Sequence, residues 1–496
     1  MDHNKSVVVG LYPRRMGKSL FLGLLEDFLG VVSDTPYGDR RTRYEQYAIC
    51  RERPKFFEDS IGRYAVFKLD FKSRDEAAQK LRTAVLAASG RHVDILRQLV
   101  EGEDVDVGAH DLATVKNRLR LNRPAVIRAI ELYDDLKSRK GINADDLSDI
   151  GAVLSVLMKA FSRLLGRKAI VIIDECDAPF TKIIRCVNDR DLRGQLFKVY
   201  NSFLSRILKG VLAGVFDVLC SGVGSALNNA ATFLAHSGFA DYVTSPFQRA
   251  FGFTPQDTWG VINQYVDKLW PARKQCSDAD ANEFKTRVFA GLLLQCGGYR
   301  IGDVHRIFCP LTVMSFVAQL DSVKTSEKLC FSNIRFWSKT GRLSMFRPVK
   351  ADSVDDLARY LRYLSNAFQR HNAVRKTNAM AARLQGAATL DDSMVVQIAD
   401  QPPEQHELSD SDGDGDNDST EAELVRICTH ARVGLIRDLE IGEHLTAATV
   451  MQLLYQAGYL VPTTKGRMAI PSEEVHRDLV AFYMELSEVH GTPMAR

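Results

Sequence analysis

The 496-residue chain lacks any Cys-x-x-Cys pair. Its nine cysteines, scattered from Cys50 to Cys428, show no Cys/His spacing that would hold zinc. Their odd number excludes a fully paired disulfide framework, so they read as reduced thiols. No uninterrupted apolar stretch reaches the roughly 20 residues that cross a bilayer. The apolar patch at the amino end stops at Tyr12-Pro13-Arg14-Arg15 and is too short for a secretory leader. An excess of one charge sign is missing too: a formal charge of +3 gives no general field for nucleic acid, and no local patch is decisive. The basic stretch Lys116 to Arg128 reads as the solvated face of a helix. These absences lead to the expectation of an intracellular protein, cytoplasmic or nuclear, with no membrane segment. The length suits two or three domains with proper cores.

The strongest chemical signal is near the start. Lys5 to Phe28 reads as a short buried strand (Val7, Val8, Val9), a tight loop, and a helix whose buried face is Leu20, Leu22, Leu24, Leu25, Phe28 and the following Leu29. At its centre stands Gly17-Lys18-Ser19. In a phosphate-binding loop the glycine lets the backbone approach the phosphates, the lysine ammonium reaches the β and γ oxygens, and the serine hydroxyl ligates Mg²⁺. Arg14 and Arg15 make the loop still more cationic, as a site for an anion needs. The strict spacing Gly-x-x-x-x-Gly-Lys-Ser would require Gly at position 12, where the chain has Tyr12. A strand-turn-helix connection that merely contains Gly-Lys-Ser would look similar.

A second signal lies far downstream. Ala169-Ile170-Val171-Ile172-Ile173-Asp174-Glu175 is an unbroken apolar run closed by two carboxylates. A strand buried on both faces reads this way, and an acid at its carboxyl end is where nucleotide-bound Mg²⁺ needs a carboxylate. Glu175 is then placed to accept a proton from an attacking water. Another strand, Ala213 to Cys220, ends at Ser221-Gly222; Ser221 could hold that water, or the pair could simply turn the chain. Asp70 closes the run Tyr64 to Phe71, a further strand.

Elsewhere, Thr35 to Arg53 reads as a basic, Tyr-rich connector, Ser73 to Leu165 as helices, and Phe251 to Trp337 as helical, with Thr254-Pro255 as a cap and first-turn proline. Glu283-Phe284-Lys285 has a nuclease-like Glu-x-Lys spacing but sits in a helical pattern, which argues against that chemistry. Residues 400 to 423 hold ten acids and no Lys or Arg, the composition of a solvated linker. Within it Asp410, Asp412, Asp414, Gly415 and Glu421 fit a calcium-loop template, but Asn417 takes the usual apolar position and the linker reading is preferred. Beyond it a helix, two short strands and a helix are winged-helix-like in outline. The expected domains are 1–250, an α/β P-loop NTPase with a parallel sheet flanked by helices; 251–399, helical; 400–423, a disordered acidic linker; and 424–496, winged-helix-like.

With these pieces in order the chain resembles the predicted AAA-ATPase-like family. Tyr12-Pro13-Arg14-Arg15-Met16-Gly17-Lys18-Ser19 is similar to that family's Pro-Arg-Arg-Phe-Gly-Lys-Ser loop, and Ile173-Asp174-Glu175-Cys176-Asp177-Ala178-Pro179 to its Ile-Asp-Glu-Tyr-Asp-x-Pro. Weaker blocks agree in order, including Phe251-Gly252-Phe253-Thr254 and Gly298-Tyr299-Arg300. The resemblance implies a Walker A loop that binds ATP through Arg14, Arg15, Gly17, Lys18, Ser19 and Leu20. It further implies Mg²⁺ at Ser19 and Asp174, and Glu175 and Ser221 as catalytic groups for ATP hydrolysis coupled to conformational change. The rival readings are a nucleotide-regulated scaffold with negligible turnover and a decayed mobile-element relative. No protein partner and no oligomeric state is named by the sequence.

Overall fold

The structure, a computed structural model, describes residues 7–11, 15–71, 77–139, 146–176, 200–222 save 201, 208, 212 and 214, 238–241, 251–269, 278–301, 304–320, 353–384, 415–430, 446–463 save 457, and 467–490. The chain divides into two units. One is Met1–Leu11 with Lys18–Asp241, and the other is Tyr12–Gly17 with Tyr242–Arg496.

The first unit runs β1 (Val7–Leu11), α1 (Lys18–Leu29), α2 (Tyr37–Glu45), α3 (Ala48–Glu52), α4 (Pro54–Ser60), β2 (Val66–Asp70), α5 (Ala77–Glu101), α6 (Leu112–Ser138), α7 (Asp146–Leu165), β3 (Ala169–Asp174), β4 (Phe216–Gly222) and β5 (Gly238–Asp241). The strands form a five-stranded sheet in the order β2-β3-β4-β1-β5, every neighbouring pair parallel. Both faces are covered, which is why β3 could be written as an unbroken Ile/Val run. Val171 and Ile173 join Phe67, Leu69 and the inner faces of α5, α6 and α7, including Val85, Leu96, Val126, Leu154 and Phe161. Ile172 and Val66 point the other way, onto Leu22 of α1. Each such side chain contributes about 1.5–3 kcal/mol by leaving water.

The basic stretch Lys116 to Arg128 lies in α6, which Asp111 caps by accepting from the Thr114 N–H at 2.9 Å. Val115, Leu119 and Val126 of that helix are buried, so its charges belong to the face of a packing helix. The expected connector Thr35–Arg53 is instead largely helical, as α2 and α3. What organises it is Arg40, 1% exposed, whose Nη1 donates to the Asp27 and Gly30 carbonyls at 2.9 and 2.6 Å. A buried guanidinium thus caps the carboxyl end of α1, where carbonyls lack helical partners and the helix dipole favours a cation.

The second unit contains α8 (Pro255–Leu269), α9 (Asp278–Cys296), the hairpin β6 (Tyr299–Ile301) with β7 (Val304–Ile307), and α10 (Pro310–Val317). It continues with α11 (Val354–Leu384), α12 (Gly415–His430), α13 (Ala447–Gln456), the two-residue strands β8 (Val461–Pro462) and β9 (Met468–Ala469), and α14 (Glu473–His490). Thr254 and Asp257 cap α8 reciprocally. The Asp257 N–H donates to Thr254 Oγ1 at 3.1 Å, while Asp257 Oδ2 accepts from the Thr254 N–H at 2.9 Å. Trp259, Ile262, Phe289, Leu292, Phe308 and Phe316 share one core among α8, α9 and α10. Glu283-Phe284-Lys285 is inside α9, with Phe284 buried and Lys285 paired to Asp267 at 2.6 Å.

Two expectations need correction here. The stretch 251–337, expected to be helical, contains the β6–β7 hairpin. The acidic tract, expected as a linker throughout 400–423, lies outside the described residues to 414 and is helical from Gly415, as the start of α12. There Glu421 accepts from Tyr363 Oη at 2.7 Å and pairs with Arg467 at 2.9 Å, and Glu423 pairs with Arg359 at 3.1 Å. Basic and phenolic partners from elsewhere in the chain let these acids sit in an ordered helix despite the local charge.

Candidate functional site

Parallel strands put their carboxyl ends on one edge, and the order of this sheet decides which ends are neighbours. β4 lies between β1 and β3. Gly10 is in register with Ser221, Ile173 with Cys220, and Asp70 with Asp174. Asp174 is one position beyond Ile173, so Asp70, Asp174, Ser221 and Gly10 follow one another along this edge at about 4.8 Å per strand. The strand that enters the loop and the strand that ends in carboxylates are therefore roughly 10 Å apart, with the end of β4 between them.

The loop itself turns sharply. Arg15 and Gly17 both have positive φ, 66° and 90°, on either side of Met16. Alternating backbone handedness of this kind gathers successive N–H groups into a concave nest suited to an anion. Gly17 is required by that backbone conformation and not by crowding, since among the described residues a Cβ there would meet nothing within 4 Å. Lys18 and Ser19 open α1, with Lys18 only 6% exposed and Ser19 partly buried. At a helix amino end both sit where the helix dipole favours negative charge.

On the far strand Asp174 is 1% exposed and its Oδ1 accepts the N–H of Glu175 at 3.0 Å. That bond fixes the rotation of the carboxylate. Glu175 has φ 51°, a left-handed conformation that costs a side-chain-bearing residue about 1–2 kcal/mol. The chain thus bends abruptly after Asp174 and separates two adjacent acids into different environments, one buried and one partly exposed. A serine hydroxyl and a buried carboxylate are both hard oxygen donors, the chemistry Mg²⁺ takes. The residues present fit a nucleotide with its metal.

Of the residues expected at the site, Lys18, Ser19, Asp174, Glu175 and Ser221 belong to one unit; Asp174 and Ser221 stand at the carboxyl ends of the neighbouring strands β3 and β4, Glu175 follows Asp174, and Lys18 and Ser19 open α1. Arg15 is exposed, and Leu20 is 72% exposed, pointing away from the buried face on which Leu22 lies. Arg14 lies outside the described residues, as do Asp177-Ala178-Pro179. Among the described residues no group of three or more His, Cys, Asp or Glu could hold a metal on its own, and no helix is long and apolar enough to cross a membrane.

A twisted parallel sheet with helices on both faces, a glycine-lysine-serine turn opening α1 and a buried acid at the end of the strand two places away define a P-loop-type α/β unit. Residues 1–229, a little under half of the chain, match the family model described as Predicted AAA-ATPase, so this part of the chain is similar to that family. No curated protein and no solved structure matches the chain. That similarity supports ATP binding as a reading of this part of the chain.

Proposed function

We propose that the chain binds ATP with Mg²⁺ at the carboxyl edge of the parallel sheet and hydrolyses its β–γ bond. The observation that carries this reading is the pairing of a left-handed Gly17 turn, leading into a buried Lys18, with a buried Asp174 followed by a strained Glu175. Lys18 holds its ammonium toward the β and γ oxygens. Ser19 and Asp174 would hold Mg²⁺, Asp174 through water; when bound, the metal neutralises charge on the phosphate oxygens. Glu175, turned out of the strand by its positive φ, accepts a proton from the attacking water. Ser221, at the end of the intervening strand, orients that water. Arg14, Arg15 and Leu20 complete the nucleotide-binding loop, and turnover is coupled to conformational change. The helix, hairpin and helix of α13, β8, β9 and α14 form a winged-helix-like block.

The rival from another class is a regulated scaffold that binds ATP and hardly turns it over. Glu175→Gln keeps shape and hydrogen bonding but removes the proton acceptor. Wild type should release phosphate in the presence of Mg²⁺, and Glu175→Gln should bind ATP normally while turnover falls by roughly two to four orders of magnitude. If wild type and Glu175→Gln release phosphate at the same background rate while both bind ATP, the scaffold reading replaces hydrolysis.

A further inference from the structure

The loop residues Tyr12–Gly17 are grouped with the second unit, and two of their carbonyls are engaged there. Met16 O accepts from the Gly252 N–H at 3.1 Å, and Arg15 O accepts from the Cys309 thiol at 3.5 Å. The two donors are themselves tied together. Phe253 and Phe308, their chain neighbours, form an antiparallel bridge with N–H to O distances of 3.1 and 2.8 Å in the two directions. On one side the bridge runs into the Thr254-capped start of α8, and on the other Cys309 is the residue that enters α10. Gly252 has φ 85°, and a Cβ on it would sit 2.3 Å from Ile307 Cγ2, so only glycine brings this N–H against the loop.

In a planar trans peptide the C=O and the following N–H point in opposite directions. Fixing the Arg15 carbonyl therefore aims the Met16 N–H, and fixing the Met16 carbonyl aims the Gly17 N–H, both away from the bridge. We propose that Gly252 and Cys309 are positioning residues for the phosphate loop, holding two of its carbonyls so that the Met16 and Gly17 N–H groups face the phosphates of the bound nucleotide. This rests on the nucleotide reading above. Burial raises the Cys309 thiol to about 11, which keeps its proton on sulfur as the bond to Arg15 O requires. A loop already ordered in this way binds without the cost of arranging its own amides.

The test uses the full chain and ATP with Mg²⁺, with dissociation constants from titration calorimetry for wild type, Cys309→Ala, Cys309→Ser and Gly252→Ala. Cys309→Ala should weaken ATP binding about threefold to tenfold, and Cys309→Ser, which restores a donor of similar size, should recover it. Gly252→Ala should weaken it further; if that variant does not fold, the two Cys309 variants decide. Wild-type affinity in Cys309→Ala overturns the positioning role alone, as does equal loss in Cys309→Ala and Cys309→Ser, which would mark a packing effect of sulfur. Absence of ATP binding in wild type overturns the nucleotide reading, and this inference with it.

Discussion

Lys18 is nearly buried, and a buried ammonium is tolerated only where its charge is answered. If bound phosphate supplies part of that answer, Lys18→Ala should raise the dissociation constant for ATP by at least about tenfold, on the order of 1.5–3 kcal/mol. Unchanged calorimetric affinity would remove Lys18 from the site. At the same scale, His92 of α5 offers a purely structural test. Its ring stacks on Phe67 at 4.1 Å and meets Phe161 edge-on at 5.2 Å, while Nδ1 donates to the Ala88 carbonyl at 3.0 Å. Burial, opposed by that hydrogen bond, lowers its pKa from 6.5 to about 4. Between those values the unfolded chain carries a proton that the folded chain refuses. The stabilisation is complete above pH 6.5 and is lost as pH falls toward 4, by about 3 kcal/mol in all. Urea midpoints at pH 7.5, 5.5 and 4.5 should fall with acidity in wild type by more than in His92→Phe, which cannot take up that proton. Parallel pH profiles in the two would show that His92 is not the group responsible. The glycine, lysine, serine and acids of the candidate site were legible in the sequence because their chemistry is local, three or four residues at a time. Cys309 was not, since its partner Arg15 is 294 residues away and a buried thiol in an apolar run carries no mark of what it touches.

At the scale of elements, β1 to β4 were readable from their apolar runs, while the four-residue edge strand β5 and two other elements were not. The β6–β7 hairpin offers only three and four residues per strand, too few to establish a period of two against a helical background. Helix α2 was hidden for another reason: its most buried residue is Arg40, and a polarity pattern counts arginine as solvent-facing. The guanidinium is buried because the end of α1 offers it carbonyls, a tertiary fact. Arg40→Met keeps most of the volume and leaves the Asp27 and Gly30 carbonyls without this donor. It should cost about 2–4 kcal/mol of stability in denaturant unfolding. Because α1 begins at Lys18 and Ser19, the same change should also weaken ATP binding, although Arg40 is at the opposite end of the helix. A loss under 0.5 kcal/mol would mean that the cap is not what holds α2 in place.

For the molecule as a whole, the place of β1 in the sheet has a consequence for how the chain is made. β1 precedes β2 to β5 in the chain, yet it is flanked by β4 and β5; Val7 pairs with Val218, about 210 residues later. At a synthesis rate of roughly 5–20 residues per second, its partners follow after something like 10–40 s. β2 and β3 are closer in sequence and share the α5–α7 core, so half of the sheet has what it needs before the phosphate loop can be tied in. The amino-terminal strand must therefore wait as a short apolar segment with both edges open, a state in which a chaperone finds a handle and a neighbouring ribosome's product finds a wrong partner. In this order of events the proposed nucleotide site is the last part of its own unit to form, and ATP competence would report that the sheet has closed around β1.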